Sequence, residues 1–213
     1  MTVRPERAGW PRYIARVSTP RRPTEERRQQ IAEAALRIIS GKGVHRLTAQ
    51  ELGREVGIAD GTIFRHFKDK AEIVRAAIAH LEGVLFQNFP PAAEDPLERL
   101  KTFFVGRLSL VQRMPSVFLA AFSDRLEEAA GEEAGVVRSI IERSQAFVRQ
   151  CLVEAQERRQ VDPSLSVDAL ALVVIGTLQA SAFAHRRSGG KSKIDPAVAW
   201  QTIEIMLTAT VRK

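Results

Sequence analysis

From Thr24 onward the apolar positions recur at helical spacing, and no stretch alternates apolar and polar as a half-buried strand would. Ile31, Ala34, Ala35, Ile38 and Ile39 fall at i, i+3, i+4, i+7 and i+8, one stripe along one helix. Thr24 stands at its N-cap, Glu25 and Glu26 complement the dipole of its first turn, and Gly41 and Gly43 stop it. Thr48 and Glu51 form a T-x-x-E capping box that opens a second, short helix, with Leu52 and Val56 inward and Gly57 at its end. Across the turn Gly57-Ile58-Ala59-Asp60 a third short helix is predicted over about 61–67. Asp69, with Glu72 three residues on, caps a fourth through Ile73, Ala77, Ile78 and Leu81, ending at Pro90-Pro91 at the latest.

The remainder follows the same logic. Asp95-Pro96 opens a helix to about Arg113, and Met114-Pro115 breaks it. A helix from Ser116 to about Leu126 and a long one from Glu132 to about Gln160 come next. Ser166 caps another to about Arg187, ended by Gly189-Gly190, and Asp195-Pro196 opens the last, to about Val211. The expectation is an all-α chain of about nine helices without a repeat of fixed period. Residues 1–23, rich in Arg and Pro and without a period, read as a flexible basic arm. Residues 24–70 form a head, a helix over about 70–89 connects, and 90–213 form a helical body.

The last two helices (about 166–187 and 195–211) are apolar on more than one face. Leu170, Leu172, Val173, Val174, Ile175, Leu178 and Phe183 nearly encircle the first, and Val198, Trp200, Ile203, Ile205, Met206 and Leu207 the second. A helix apolar all round must be buried all round, which predicts a partner surface besides an internal one. The run 167–184 is interrupted by Asp168, Thr177, Gln179 and Ser181 and reads as too short for a membrane span of about 20 residues. With no signal sequence recognised, the expected location is the cytoplasm.

Charge sharpens the picture. Residues 1–80 hold 16 Lys and Arg against 9 Asp and Glu, whereas residues 81–213 hold 16 of each. The whole net charge of +7 therefore sits in the head and arm, as suits a phosphate-binding module on a neutral body. The single cysteine, Cys151, excludes an internal disulfide and a four-Cys zinc site, and reads as a buried structural thiol. No His has a Glu three residues before it, and there is no HExxH, P-loop or GxGxxG. No catalytic set, metal site or cofactor is expected, and an enzyme is the disfavoured class.

Two short helices joined by a glycine turn form a helix-turn-helix, whose second helix enters the major groove. The stretches Leu47-Thr48-Ala49-Gln50-Glu51-Leu52, Val56-Gly57-Ile58 and Gly61-Thr62-Ile63-Phe64-Arg65-His66-Phe67-Lys68-Asp69-Lys70 closely resemble the DNA-binding signature of the TetR family of bacterial transcriptional regulators. The resemblance extends upstream through Ile31–Ala35 and downstream through Ile73-Val74, about residues 24–80. It implies that Thr62, the aromatic at 64, His66 and Lys70 meet phosphates, and that Thr48 and Gln50 meet phosphate and base edges. A Gln can pair bidentately with adenine. Two positions depart from the family. Phe64 stands where Tyr is usual and offers no hydroxyl, but packs against sugar or a thymine methyl. Ala59 stands where Ser or Thr is usual, removing a cap that Asp60 can replace; Asp60 can also accept from a cytosine amine. Arg65 reads either as a guanine reader or as a phosphate contact. The candidate DNA-contacting set is thus Thr48, Gln50, Asp60, Gly61, Thr62, Phe64, Arg65, His66 and Lys70, with Ile58, Ile63 and Phe67 as core.

The resemblance further implies a homodimer through the last two helices, double-stranded operator DNA as partner, and release from DNA by a small-molecule inducer. Paired heads about 34–36 Å apart match successive major grooves. Phe103, Phe104, Arg107, Met114, Phe118, Phe122, Phe147 and Phe183 are candidates to line an inducer cavity, or else ordinary core. The alternative is a DNA binder that ignores ligands or answers to a protein partner, which a fully filled body would favour.

Overall fold

The computed structural model describes residues 24–209, so the basic arm expected over 1–23 and the extreme C-terminus lie outside the described residues. Every regular element within them is helical: α1 (Thr24–Lys42), α2 (Ala49–Val56), α3 (Asp60–His66), α4 (Lys70–Phe86), α5 (Pro96–Arg113), α6 (Pro115–Ala121), α7 (Asp124–Ala130), α8 (Ala134–Glu157), α9 (Val167–Arg187) and α10 (Pro196–Thr208). Short 3-10 turns at Val44–Arg46 and Gly131–Glu133 precede α2 and α8.

The predicted stripe of α1 is buried, as are Ala32 and Leu36 beside it. The stripe widens because α1 is packed from two sides: α4 lies on one, and α6 and α7 of the body on another. Arg125 on α7 donates to the carbonyls of Ser40 (3.2 Å) and Gly41 (2.9 Å), which the helix itself leaves without partners near its C-terminus. One side chain of the body thereby caps the first helix of the head.

In the body, several boundaries differ from expectation. The helix expected over 116–126 is two, α6 and α7. Phe122 N–H and Ser123 N–H turn back onto Leu119 and Ala120 carbonyls in 3-10 fashion, which ends α6 and lets Asp124 begin α7. The long helix starts at Ala134 rather than Glu132, after Gly131 adopts φ 56°. It ends at Glu157 rather than Gln160, because Arg159 turns left-handed at φ 59° and the N–H groups of Gln160 and Val161 return to the Ala155 carbonyl. The described residues therefore form ten α-helices, in keeping with the expected all-α chain of about nine.

At the centre of the body α5 packs against α6, α8, α9 and α10. Phe104 and Trp200 meet at 6.0 Å between α5 and α10, and Arg99 pairs with Glu154 between α5 and α8. Cys151 is fully buried on α8, and burial raises its thiol to about 11, which makes it a packing group and a poor nucleophile. By length and composition α9 is sufficient to cross a membrane, so the expectation that it is too short does not stand. Its inward face, Ala171, Val174, Ile175 and Leu178, is buried, and it packs on α5 and α8. Its outer face leaves Leu172, Val173 and Phe183 exposed, and α10 leaves Val198, Ile205 and Met206 exposed.

Candidate DNA interface and ligand cleft

Thr48 caps α2: its Oγ1 accepts from the Glu51 N–H at 3.1 Å. Only that half of the expected capping box forms. The Glu51 carboxylate turns outward to Lys42 and to Arg54 (3.0 Å), and the hydrogen bond from Lys42 holds it below its ordinary pKa. Gly57 closes α2 with φ 74° and ψ 38°, a left-handed cap that glycine adopts without steric cost. The N–H of Ile58 then bonds to the Gly53 carbonyl at 2.9 Å. Gly53 is the tight point of the motif. A Cβ there would lie 2.7 Å from the Ile58 carbonyl oxygen and 3.2 Å from the Asp60 nitrogen, so α3 begins directly against it.

α3 starts one residue earlier than expected, at Asp60, with Ala59 as N-cap and no side-chain cap. Asp60 Oδ1 accepts from the Gly61 N–H at 2.9 Å, satisfying one free donor from inside the first turn rather than from the cap. Ile63 and Phe67 anchor the helix in the core, while Asp60, Gly61, Phe64 and Arg65 are exposed and Thr62 is half-buried. Phe64 is 63% exposed, a large ring held in water between a base-reading candidate and buried anchors. Thr48 and Gln50, at the start of α2, are exposed as well.

His66 is half-buried at the end of α3, and its Nδ1 is buried without a partner. Burial first, then the positive charges of Arg27, Arg28 and Arg65, pull its pKa below 6.5, so the ring is neutral at neutral pH. A neutral imidazole retains one N–H to donate. Lys70, the first residue of α4, donates from Nζ to the Val44 carbonyl at 2.7 Å, and its ammonium keeps two further donors.

Arg28 holds this face from behind, a feature sequence reasoning missed. It donates to the His66 carbonyl, pairs with Glu72 at 3.0 Å and stacks over the Phe67 ring at 4.2 Å. The second Glu72 oxygen accepts from the Lys68 N–H at 2.8 Å, and these bonds hold the Glu72 carboxyl below its usual range. The end of α3 is thus tied to α1 and α4 through residues 38 to 44 positions apart. Nothing local in the sequence marks Arg28 for that work.

In the body, an open cleft of about 470 Å³ lies between the end of α4, residues 87–91 and α5. Phe103, Arg107 and Met114 line it, together with Leu85, Phe89 and Leu110. A separate inner cavity of about 20 Å³, bounded by Phe118, Phe122 and Arg107 among others, is nearly filled. Phe147 backs the cleft, with its ring 4.9 Å from Phe89 and 5.2 Å from Phe103. Phe104 lines neither space, being wholly buried against Trp200, and Phe183 lies 45% exposed on the outer face of α9. Leu85, Phe89 and Leu110 went unnamed at the sequence level, because a chain that leaves the helix at Phe86 hides which side of the loop faces α5.

A sequence profile of bacterial regulatory proteins of the tetR family matches residues 31–77, from the buried stripe of α1 to the middle of α4. Over a longer stretch the chain is 25% identical across 169 residues to the nucleoid occlusion factor SlmA of Aliivibrio fischeri, covering 78% of this chain and 85% of that protein. The fold is shared with the ketosteroid transcriptional regulator KstR2 of Mycobacterium tuberculosis, at a TM-score of 0.70 and 18% identity over 86% of this chain and 94% of that one. It is shared likewise with AibR, solved in complex with isovaleryl coenzyme A and operator DNA, at a TM-score of 0.65 and 16% identity over 85% of this chain and 98% of that one.

Proposed function

We propose that this chain, which belongs to the TetR family of bacterial regulatory proteins, is a homodimeric repressor that leaves its operator when a small molecule enters the helical body. That it is a DNA-binding transcriptional regulator follows from the family. The observation that carries the reading is the face of α3: Phe64 and Arg65 stand exposed on a short helix whose opposite face is locked by Ile63, Phe67 and Arg28. A rigid helix with a free outer face is what a major groove admits. Thr62, His66 and Lys70 then serve phosphates, Gln50 and Arg65 base edges, and Phe64 a sugar or thymine methyl. Such contacts call for a regulator working in the cytoplasm at the nucleoid, without catalytic chemistry.

The homodimer is supported by the exposed apolar faces of α9 and α10, which Leu172, Val198 and Met206 dominate at 72%, 58% and 58% exposure. Apolar side chains so exposed on two consecutive helices, both packed on α5, mark an association surface. The ligand is supported by the cleft beside α5, whose volume lies in the range of small-molecule sites, about 300–1,000 Å³. A second reading, control by a protein partner, is favoured by the nearly filled inner cavity and by the likeness to a nucleoid occlusion factor.

The head assignment is tested with the double variant His66→Ala/Lys70→Ala. Fluorescence anisotropy on duplex DNA of any sequence is expected to show weaker binding, with the oligomeric state unchanged by sedimentation. Unchanged affinity would remove these residues from the interface.

A further inference from the structure

Arg107 is the charged side chain that the fold leaves without an obvious purpose. It sits on α5 at 6% exposure, and no carboxylate pairs with it among the described residues. Its neighbours are the rings of Phe103 and Phe86, with centroids 5.0 and 5.4 Å from the guanidinium carbon, and Ser144 Oγ at a long 3.4 Å. Burial alone pulls its pKa down to about 10, with no neighbouring charge contributing, so it remains a cation. A buried cation supported only by rings and one hydroxyl is poorly compensated, and an apolar side chain of similar volume would ordinarily serve the core better.

Arg107 is among the residues that line the 470 Å³ cleft, and it also lines the inner cavity, where Ser144 meets its guanidinium. Leu85, Phe89, Phe103, Leu110 and Met114 make the cleft wall largely apolar. A second cation, Arg113, is exposed at the cleft, and none of its lining residues is acidic. From this juxtaposition we propose that the cleft binds an amphipathic anion, its acid headgroup on the Arg107 fork and its apolar body along Phe89, Leu110 and Met114. The inner cavity of about 20 Å³ has no room for the tail, so the tail runs outward through the cleft. Carboxylate and phosphate both match a guanidinium bidentately. The proposal deepens the reading of the body as a ligand sensor and rests on it.

The test is calorimetric titration of the full chain with three probes of one chain length: decanoate, decyl phosphate and decanol. One or both anions are expected to bind at least about tenfold tighter than decanol, the worth of one charge-assisted pair, and the preferred headgroup identifies the acid. Arg107→Met is expected to bring the anions down to the decanol level while melting no lower than the parent. Arg107→Lys, which retains the charge without the fork, is expected to fall between the two, and serves if Arg107→Met does not fold. Equal binding of all three probes, unchanged anion binding by Arg107→Met, or no binding at millimolar probe would each overturn the proposal. DNA affinity measured on the same preparations separates the causes. A chain that binds DNA but no probe contradicts the anion site alone, whereas a chain that binds neither contradicts the regulator reading.

Discussion

Arg65 and His66 are adjacent in sequence and differ in what they offer. Arg65 is exposed on α3 with a fork suited to a guanine edge, and the substitution Arg65→Ala is expected to cost about 1–3 kcal/mol at one operator position while leaving other positions unchanged. Affinities for single-base operator variants check this, and a uniform loss across all variants would make Arg65 a phosphate contact. His66 is half-buried and neutral, and so is His80 on α4, whose pKa is lowered chiefly by burial despite the opposing pull of Glu33. Both fold-state values lie below 6.5, so the unfolded chain takes up protons first as pH falls. Their contribution to stability is full above about pH 6.5 and declines below it. The carboxylates held low, Glu72, Glu154 and Asp95, act only in the more acidic range below their ordinary values of 3.8 to 4.5. Denaturant midpoints are therefore expected to fall between pH 7.5 and 5.5, and less so in His80→Gln. An unchanged slope in that variant would assign the effect elsewhere.

Among the elements, the pair α2–α3 shows why short helices are legible when their punctuation is strong. Thr48, Gly57 and Asp69 each mark a boundary within a residue or two of where it lies, since each performs a capping task that few residues perform. What the sequence hid is Gly53, which reads as a helix interior glycine and is in truth a contact between backbones. Gly53→Ala is expected to destabilise the chain by about 1–3 kcal/mol, the range for overpacking, and to weaken DNA binding as α3 is pushed outward. Thermal unfolding with anisotropy checks both, and a variant with parental stability would mean that α3 shifts freely. The break between α6 and α7 was hidden for a different reason. Phe122-Ser123 carries no glycine or proline, so the turn is imposed by the way α7 must lie against α1, where Arg125 caps Ser40 and Gly41. Tertiary packing decided that boundary, and local propensity does not record it.

For the whole molecule, the charge asymmetry and the apolar C-terminal helices were readable because both are sums over many residues. The cleft beside α5 was only half readable: Phe103, Arg107 and Met114 line it, while Phe104 and Phe183 serve a core and an outer face. Aromatic residues at helical spacing do not say which helix they will meet. The outer face of α9 and α10 supports a prediction at this scale. Leu172→Glu places a charge where the monomer is already 72% exposed, so the subunit itself should fold as before. Sedimentation velocity is expected to show monomers, and operator affinity to fall about 100-fold or more through loss of bivalent binding. A dimer that survives this change would move the interface elsewhere.

On the proposed function, α3, presented twice by a dimer, reads a specific operator. This is tested most directly by anisotropy of the full chain on the DNA upstream of its own gene and on a scrambled duplex, over a salt series. A preference on the order of a thousandfold for the upstream DNA is expected, with affinity falling steeply as salt rises. Weak and equal binding to both duplexes would contradict it, leaving the basic head as a nonspecific binder of phosphate at that site.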